Sequence, residues 1–188
     1  MYMARAEVAT RDQLIEAAAR ILAEEGLGGL STRRLASSLG VSTMVVYTRF
    51  GSMPELMEAV VTEGFDRQAA RLDAVAASAD PAADLIALAV AYRANAVDNP
   101  HLYSIMYAAN GESAHRAEQA KGTLDLLTAA AARTLDSGVG AETPGVLARQ
   151  LWSTVHGLVS LELSGVADGE AGEHALRATL RRLISGKG

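Results

Sequence analysis

The chain has 188 residues, of which 49% are hydrophobic and only 4% aromatic, and its formal net charge at pH 7 is −5. It contains no cysteine, which excludes a disulfide framework and a thiolate zinc site. The acidic balance argues against a wholly basic nucleic-acid binder, although the first 56 residues are charge-balanced and the remainder supplies the whole deficit.

Composition also indicates the class of fold and the compartment. Alanine and leucine dominate the sequence, and both residues lose little free energy on entering a helix. No apolar run approaches the roughly 18 residues that a membrane-spanning helix needs. The first 13 residues lack the apolar segment of a secretion signal. We therefore expect an all-α, soluble protein in the cytoplasm.

Apolar spacing and capping residues predict about nine helices and no strand. In chain order the predicted helices cover residues 12–25, 32–39, 42–50, 52–76, 80–97, 102–109 and 112–136, followed by one that opens at 143 and a last one after a loop at 165–173. The starts at Ser52 and Asp80 are the clearest, because each combines a capping side chain with a proline in the first turn.

The short stretch Leu39-Gly40-Val41-Ser42 joins two of these helices and fits a helix-turn-helix. Its tight turn needs one residue with positive φ, which Gly40 supplies at little cost. With Val46 facing the core, the outward side of the third helix is short and semi-polar, which suits a helix lying in the major groove of DNA. From the spacing alone, an ordinary bend between core helices explains this stretch equally well.

The longer segment GGLSTRRLASSLGVSTMVVYTRFGSMPEL resembles the DNA-binding domain of the TetR family of bacterial repressors. In that family an (L)T-x-R-x-L-A-x-x-L-G-V-S segment precedes Y-x-x-F and a long fourth helix, and the match covers about residues 10–57. The resemblance implies DNA contacts by Thr32 and Arg33 on the second helix, Ser42 at the start of the third, Thr43, Met44 and Val45 as base readers, and Tyr47, Thr48 and Arg49 as contacts to phosphates or nearby bases. One departure is Met53, which stands where the family commonly has a phosphate-binding lysine; Arg49 can replace that contact.

A second resemblance lies in the C-terminal half. The run Trp152-Ser-Thr-Val-His156-Gly157 resembles the W-x-x-x-H-G motif of a TetR subgroup with a WHG-type C-terminal domain, and AYRANAVDNPHLYSIMY resembles the same subgroup. Aromatic and methionine side chains with a few polar tips are typical of a small-molecule site. The candidate ligand-binding residues are Phe65, Tyr92, Tyr103, Met106, Tyr107, Trp152 and His156. The same side chains fit a plain core, and Trp152 with His156 also fits a dimer seam.

Together these observations predict a homodimeric repressor that binds a palindromic operator and is released by a small-molecule effector. Residues 1–51 are expected to form the DNA-binding domain and residues 52–188 the regulatory and dimerisation domain, with leucine stripes on the last two helices forming the interface. We expect no catalytic residue, metal, cofactor or membrane partner.

Two alternatives stay open. One is a helical enzyme or metal-binding bundle, for which Glu112-x-x-His115 is the relevant motif, although a second such pair and a nucleophile–base pair are missing from the sequence. The other is a regulator of the same fold that answers no ligand or that activates.

Overall fold

A computed structural model describes residues 9–107, 114–136, 143–166 and 169–185. Within these ranges the chain is all-α, which confirms the predicted fold class. The helices are α1 (Arg11–Glu25), α2 (Thr32–Ser38), α3 (Thr43–Phe50), α4 (Met53–Asp73), α5 (Pro81–Asp98), α6 (Pro100–Met106), α7 (Ala114–Asp136), α8 (Pro144–Leu163) and α9 (Gly169–Ser185), with a 3₁₀ turn at Leu27–Gly29. None of the described helices combines the length and the apolar character required to cross a membrane.

Side-chain caps explain several helix starts. At α1, the Thr10 hydroxyl accepts from the backbone N–H of Gln13 at 3.2 Å, and the Gln13 side chain accepts from the Thr10 N–H at 2.8 Å. This reciprocal pair is a capping box, which satisfies two otherwise unpaired donors. As predicted, Asp80 caps α5 and Ser52 accepts from the backbone N–H of Glu55 at 3.3 Å.

Some predicted helix boundaries are wrong by a few residues. The loop predicted at 165–173 is shorter, because α9 already begins at Gly169. Gly172, within the predicted loop, lies inside α9, where a Cβ atom would be 3.1 Å from a Glu162 carboxylate oxygen. Its small size therefore serves close packing. In addition, α4 ends at Asp73 and α6 covers Pro100–Met106, while residues 108, 109, 112 and 113 of the predicted helices lie outside the described ranges.

The chain divides into two compact units. The N-terminal unit contains the described residues of Met1–Phe65 and His101–Glu112, and the C-terminal unit contains those of Asp66–Pro100 and Ser113–Gly188. This division differs from the predicted boundary between residues 51 and 52, because the first part of α4 and most of α6 pack with the N-terminal helices. The functional assignment of 1–51 and 52–188 stays a prediction.

Close packing of α6 on α4 holds part of the N-terminal unit together. Gly64 of α4 is buried, and a Cβ atom there would lie 2.6 Å from Cγ and 2.7 Å from Sδ of Met106. Met106 is itself only 1% exposed, so it has little room to move. Glycine at position 64 therefore permits the close approach of the two helices.

The core of the C-terminal unit lies between α5, α7, α8 and α9: α5 packs on the other three helices, and α8 also packs on α7 and α9. The apolar stripes of α8 and α9 supply much of this core. Their central members are at most 3% exposed: Leu147, Leu151, Val155, Leu176 and Leu180. These stripes, which the sequence analysis assigned to an interface between subunits, are thus occupied inside the chain.

An ion-pair network with a nearly buried centre, Arg93 and Glu162, joins three helices of the C-terminal unit. Arg93 of α5 donates to both carboxylate oxygens of Glu162 on α8, at 2.8 and 2.6 Å, and to Glu173 of α9 at 3.3 Å. Glu173 in turn accepts from Arg177 at 2.9 Å. Because a bidentate arginine–carboxylate pair fixes two groups in one plane, the network sets the position of α5 against α8 and α9.

Candidate nucleic-acid interface

The turn between α2 and α3 is fixed by backbone hydrogen bonds and one glycine. The N–H of Val41 donates to the Ala36 carbonyl at 3.0 Å, and the N–H of Gly40 donates to the Ser37 carbonyl at 3.3 Å. Gly40 has φ +65°, in the left-handed region predicted from the sequence. The turn therefore directs α3 at a defined angle to α2.

Burial of one side of α3 determines which side faces outward. Val46 is 2% exposed and Phe50 8%, and both join the core that contains Leu35 of α2. The opposite side projects into solvent, with Met44 68% and Tyr47 50% exposed. Of the predicted DNA-binding residues, Arg33, Ser42, Thr43, Met44, Tyr47, Thr48 and Arg49 are exposed, and Thr32 and Val45 are half-buried. None of the nine is therefore buried, and their role in DNA binding stays a prediction.

Two hydroxyl groups of this surface already have partners. Thr32 donates to the Tyr47 phenol oxygen at 3.5 Å, which links the start of α2 to α3. Since Tyr47 accepts here, its own hydrogen can be donated to a phosphate oxygen. The Thr48 hydroxyl donates to the Met44 carbonyl at 2.8 Å, so it is oriented along its own helix.

The starts of α2 and α3 differ in their caps. The Ser31 hydroxyl accepts from the Arg34 N–H at 3.1 Å and caps α2. At α3 the N-cap is Ser42, but its side chain makes no capping hydrogen bond within the described part of the chain. The N–H groups of Thr43 and Met44 in that first turn are therefore suited to bind an anion such as a phosphate.

The arginines of the N-terminal unit divide into partnered and outward-facing ones. Arg34 donates to Glu25 at 2.5 Å, and this hydrogen bond, together with the Glu25 charge, raises the pKa of Arg34. Arg11 lies 5.5 Å from the Phe50 ring centroid. Arg33 on α2 and Arg49 in the last turn of α3 are exposed, as a phosphate contact by either would require. Met53, at the lysine position of the family, is half-buried at the start of α4.

Three of the predicted ligand-binding residues come together in the C-terminal unit. The indole N–H of Trp152 donates to the Tyr92 phenol oxygen at 3.2 Å, and that oxygen lies 3.4 Å from Nδ1 of His156. The direction of this last contact depends on the imidazole tautomer: the neutral form with its proton on Nε2 can accept the Tyr92 hydrogen at Nδ1. Burial lowers the pKa of His156 below its ordinary value of 6.5 and favours this neutral form.

A small cavity adjoins this cluster. It is lined by Leu85, Ala89, Tyr92, Leu127, Leu151, Trp152 and Val155, and its volume is about 10 Å³. That volume accommodates about one water molecule, whereas small-molecule sites usually measure some 300–1,000 Å³. Most of the lining is aliphatic, and Leu151 and Val155 belong to the buried stripe of α8. A ligand would therefore require displacement of the surrounding side chains.

The other four predicted ligand-binding residues lie in the N-terminal unit. The Tyr107 ring centroid is 5.8 Å from that of Phe65 and 5.1 Å from that of Tyr103. Phe65, Tyr103 and Met106 are at most 5% exposed, so they form part of the packing between α4 and α6. The structure thus brings the seven candidates together as two clusters, one in each unit.

The described residues offer no arrangement suited to metal binding. No group of three or more His, Asp or Glu side chains among them is positioned to hold an ion. The Glu112-x-x-His115 motif lies outside this test, because Glu112 and the side chain of His115 are not among the described parts.

Comparison with known proteins identifies the class. The family described as "Bacterial regulatory proteins, tetR family" matches residues 14–60, and that described as "Tetracyclin repressor-like, C-terminal domain" matches residues 85–185. The protein is therefore a DNA-binding transcriptional regulator with a helix-turn-helix, and not an enzyme. It belongs to the TetR family. Its WHG subgroup stays a prediction.

Individual relatives agree with this assignment. The HTH-type transcriptional regulator Rv0681 of Mycobacterium tuberculosis is 28% identical over 169 residues, which are 88% of this chain and 76% of the relative. A transcriptional regulator from Rhodococcus sp. RHA1 is 26% identical, with a TM-score of 0.75 over 95% of this chain and 97% of its own. AibR, solved with isovaleryl coenzyme A and operator DNA, shares the fold at 19% identity, with a TM-score of 0.75 over 93% and 98% of the two chains.

Proposed function

We propose that this regulator is a homodimeric repressor that inserts α3 into the major groove of a palindromic operator and is released by a small-molecule effector. The observation that carries the proposal is the outward side of α3, which combines exposed Met44, Tyr47 and Arg49 with an uncapped first turn. Side chains at the start of a recognition helix reach base edges, while those farther along reach phosphates.

Two copies of α3 are needed for specificity. A single eight-residue helix makes too few base contacts to single out one site in a genome. A two-fold dimer places two such helices about one turn of DNA apart, roughly 34–36 Å, and reads a palindrome. The proposed operator therefore consists of two inverted half-sites with that spacing.

The charge of the surface predicts a moderate salt dependence. Arg33 and Arg49 supply two exposed cations per protomer beside α3, hence four in a dimer. Since log K falls with log salt by about 0.9 for each phosphate neutralised, the expected slope is roughly −4. The remaining affinity would come from neutral donors such as the Tyr47 hydroxyl and backbone N–H groups.

Replacing Tyr47 and Arg49 with alanine tests the interface. Operator binding, measured by fluorescence anisotropy over a salt series, should be abolished, or reduced with a salt slope shallower by about 2, while the dimer persists. The matched control replaces Leu27 and Arg34 with alanine, because these residues are also exposed in the N-terminal unit but lie off α3. An unchanged affinity and slope in the first variant would exclude α3 as the reading helix.

The sides of α8 and α9 that face away from the buried stripes support a dimer interface. On α8, Ser153, Gly157 and Leu161 are exposed at intervals of four residues, and Leu161 is 47% exposed. On α9, Ala175 is exposed and Ala178 is half-buried. Small side chains permit close approach of two helices. A solvent-exposed glycine within a helix otherwise costs about 1 kcal/mol relative to alanine.

Two glycines allow a matched test of this interface. Gly157 of α8 and Gly122 of α7 are both exposed within helices, and a Cβ atom at either would have no neighbour within 4 Å. Gly157→Arg should shift the protein to monomer in sedimentation velocity and weaken operator binding, whereas Gly122→Arg should leave both unchanged. A dimer that tolerates arginine at position 157 would place the interface elsewhere.

The C-terminal cluster supports the effector part of the proposal. Tyr92 and Trp152 line an apolar cavity together with Leu85 and Leu127, and the Tyr92 phenol oxygen lies 3.4 Å from Nδ1 of His156. Such a lining suits a mainly apolar effector with one hydrogen-bonding group. AibR, which has the same fold, has been crystallised with isovaleryl coenzyme A, an acyl thioester. Acyl thioesters are therefore a reasonable first set of compounds to test.

A ligand-independent regulator of the same fold is the second candidate, and the cavity volume of only about 10 Å³ favours it. Thermal-shift screening separates the two, because a ligand selective for the folded state raises its melting temperature by mass action. An effector must both raise that temperature and release the operator. If no acyl thioester or library compound does so, the second candidate is preferred; a reporter assay with the gene deleted then decides between repression and activation.

A further inference from the structure

Met44 is the most exposed apolar side chain of α3. It is 68% exposed, whereas its neighbours Val45 and Val46 are half-buried and buried. It is also the second residue of the helix, in the turn where a recognition helix approaches base edges. Single exposed apolar side chains are ordinary on a protein surface, so the feature that distinguishes Met44 is its place in the first turn of α3.

The polar groups around Met44 offer few donors for reading bases. The Thr48 hydroxyl donates to the Met44 carbonyl at 2.8 Å, and the Thr32 hydroxyl donates to Tyr47 at 3.5 Å. In the first turn, Thr43 and the N-cap Ser42 are the hydroxyl residues that remain for a base or a phosphate. None of the eight residues of α3 is Asn, Gln or Lys, and its arginine, Arg49, lies in the last turn.

We propose that Met44 reads the C5-methyl group of a thymine in each operator half-site. Thymine is the standard base that presents a methyl group in the major groove, so an apolar side chain there distinguishes a T·A pair from the other three. The methionine chain is unbranched and flexible, which allows it to follow the groove surface and enclose a methyl group. This inference rests on the proposed function of α3.

Single methyl groups in the DNA provide the test. The operator is first selected from random duplex DNA with the intact protein, and each thymine of a half-site is then replaced by deoxyuridine, which removes only the methyl group. At the contacted position, binding should weaken about fourfold for one half-site and about fifteenfold for both, the loss expected for one buried methyl group each. When the same thymine is replaced by cytosine or by 5-methylcytosine, the operator with 5-methylcytosine should bind more tightly than the one with cytosine, by a similar factor.

Protein variants assign the effect to Met44. In Met44→Ala the deoxyuridine and thymine operators should bind equally, whereas in Leu27→Ala the difference should persist. Leu27 is a suitable control because it is 55% exposed in the same unit but lies in the 3₁₀ turn before α2. Met44→Leu, which keeps the apolar bulk, should retain most of the discrimination.

Several outcomes would overturn the inference while leaving the repressor proposal intact. These are an operator without thymine in its half-sites, a deoxyuridine scan without effect at any position, or the same deoxyuridine effect in Met44→Ala as in the unaltered protein. Failure to enrich any sequence would instead refute the proposed operator binding, and the thymine contact with it. The proposal is supported if replacing thymine by deoxyuridine weakens binding by the unaltered protein and by Leu27→Ala, but not by Met44→Ala.

Discussion

Replacing Arg93 with methionine should destabilise the protein by about 3 kcal/mol. The Arg93 and Glu162 side chains are only 11% and 10% exposed, and two hydrogen bonds join them. Without Arg93, the Glu162 carboxylate remains buried and unpaired, which typically costs about 3–5 kcal/mol. We expect the lower end, because each group retains some contact with water.

The double variant Arg93→Met/Glu162→Leu distinguishes the net contribution of the ion pair to stability from the cost of leaving one buried charge unpaired. With both charges removed, no carboxylate is left unpaired next to Gly172, and the free energy of unfolding should return to within about 1 kcal/mol of the original. The coupling equals the sum of the losses in Arg93→Met and Glu162→Leu minus the loss in the double variant, so it should be at least about 2 kcal/mol, well above the additivity error of about 0.5 kcal/mol.

Urea unfolding followed by circular dichroism measures these differences. All variants are compared at one protomer concentration, because the stability of an oligomer depends on concentration. Arg71→Met is the matched control, since Arg71 pairs with Asp98 at the surface, with 40% and 58% of the two side chains exposed, and such pairs contribute roughly 0–1 kcal/mol. The reasoning fails if Arg93→Met is as mild as Arg71→Met, or if the double variant is no more stable than Arg93→Met.

Three further predictions concern the backbone and pH. Gly40→Ala should lower the free energy of unfolding by about 1–2 kcal/mol in urea melts, because φ is +65° there, while Gly28→Ala, with equal open space and no positive φ, should show no such loss. Hydrogen bonds from Ser78 hold the pKa of Asp84 below its ordinary 3.8, so its contribution to stability is present above about pH 4 and is lost as pH falls through the lowered pKa. In Asp84→Asn, the free energy of unfolding should therefore fall less steeply at acid pH than in the unaltered protein. An unchanged acid dependence would contradict this. Burial lowers the pKa of His156 below 6.5, so the folded state binds fewer protons than the unfolded chain, and the free energy of unfolding should decline as pH drops below about 6.5. Thermal melts between pH 7.5 and 5 in two buffers measure this decline, which should be smaller in His156→Gln. A decline of the same size in the variant would contradict the prediction.

The DNA-binding surface could be predicted from the sequence because its signals are local. Gly40 and the buried Val46 lie within a few residues of the turn that they define. The helical period then predicts which residues of α3 face the core and which face outward. The outward position of Met44, Tyr47 and Arg49 is a direct consequence of that period. The family resemblance to the helix-turn-helix rests on the same short segment, and residues 14–60 match the family.

The C-terminal unit could not be predicted to the same depth. Periodicity correctly indicated apolar stripes on α8 and α9, but the expectation that they form a subunit interface did not follow, because these stripes are buried inside the chain. A stripe shows that one side of a helix is apolar and does not show which neighbour covers it. The seven candidate ligand-binding residues likewise separated into two clusters.

Sequence by itself thus determined the order and type of the helices, the turn before α3 and the side of α3 that faces outward, because each depends on residues within one or two helical turns. Only the tertiary structure decided that Arg93 binds Glu162, 69 residues away, and that Tyr92 contacts His156, 64 residues away. These pairs depend on which helices pack together and in what register, and the free energy of that choice is spread over many apolar contacts that no local pattern records.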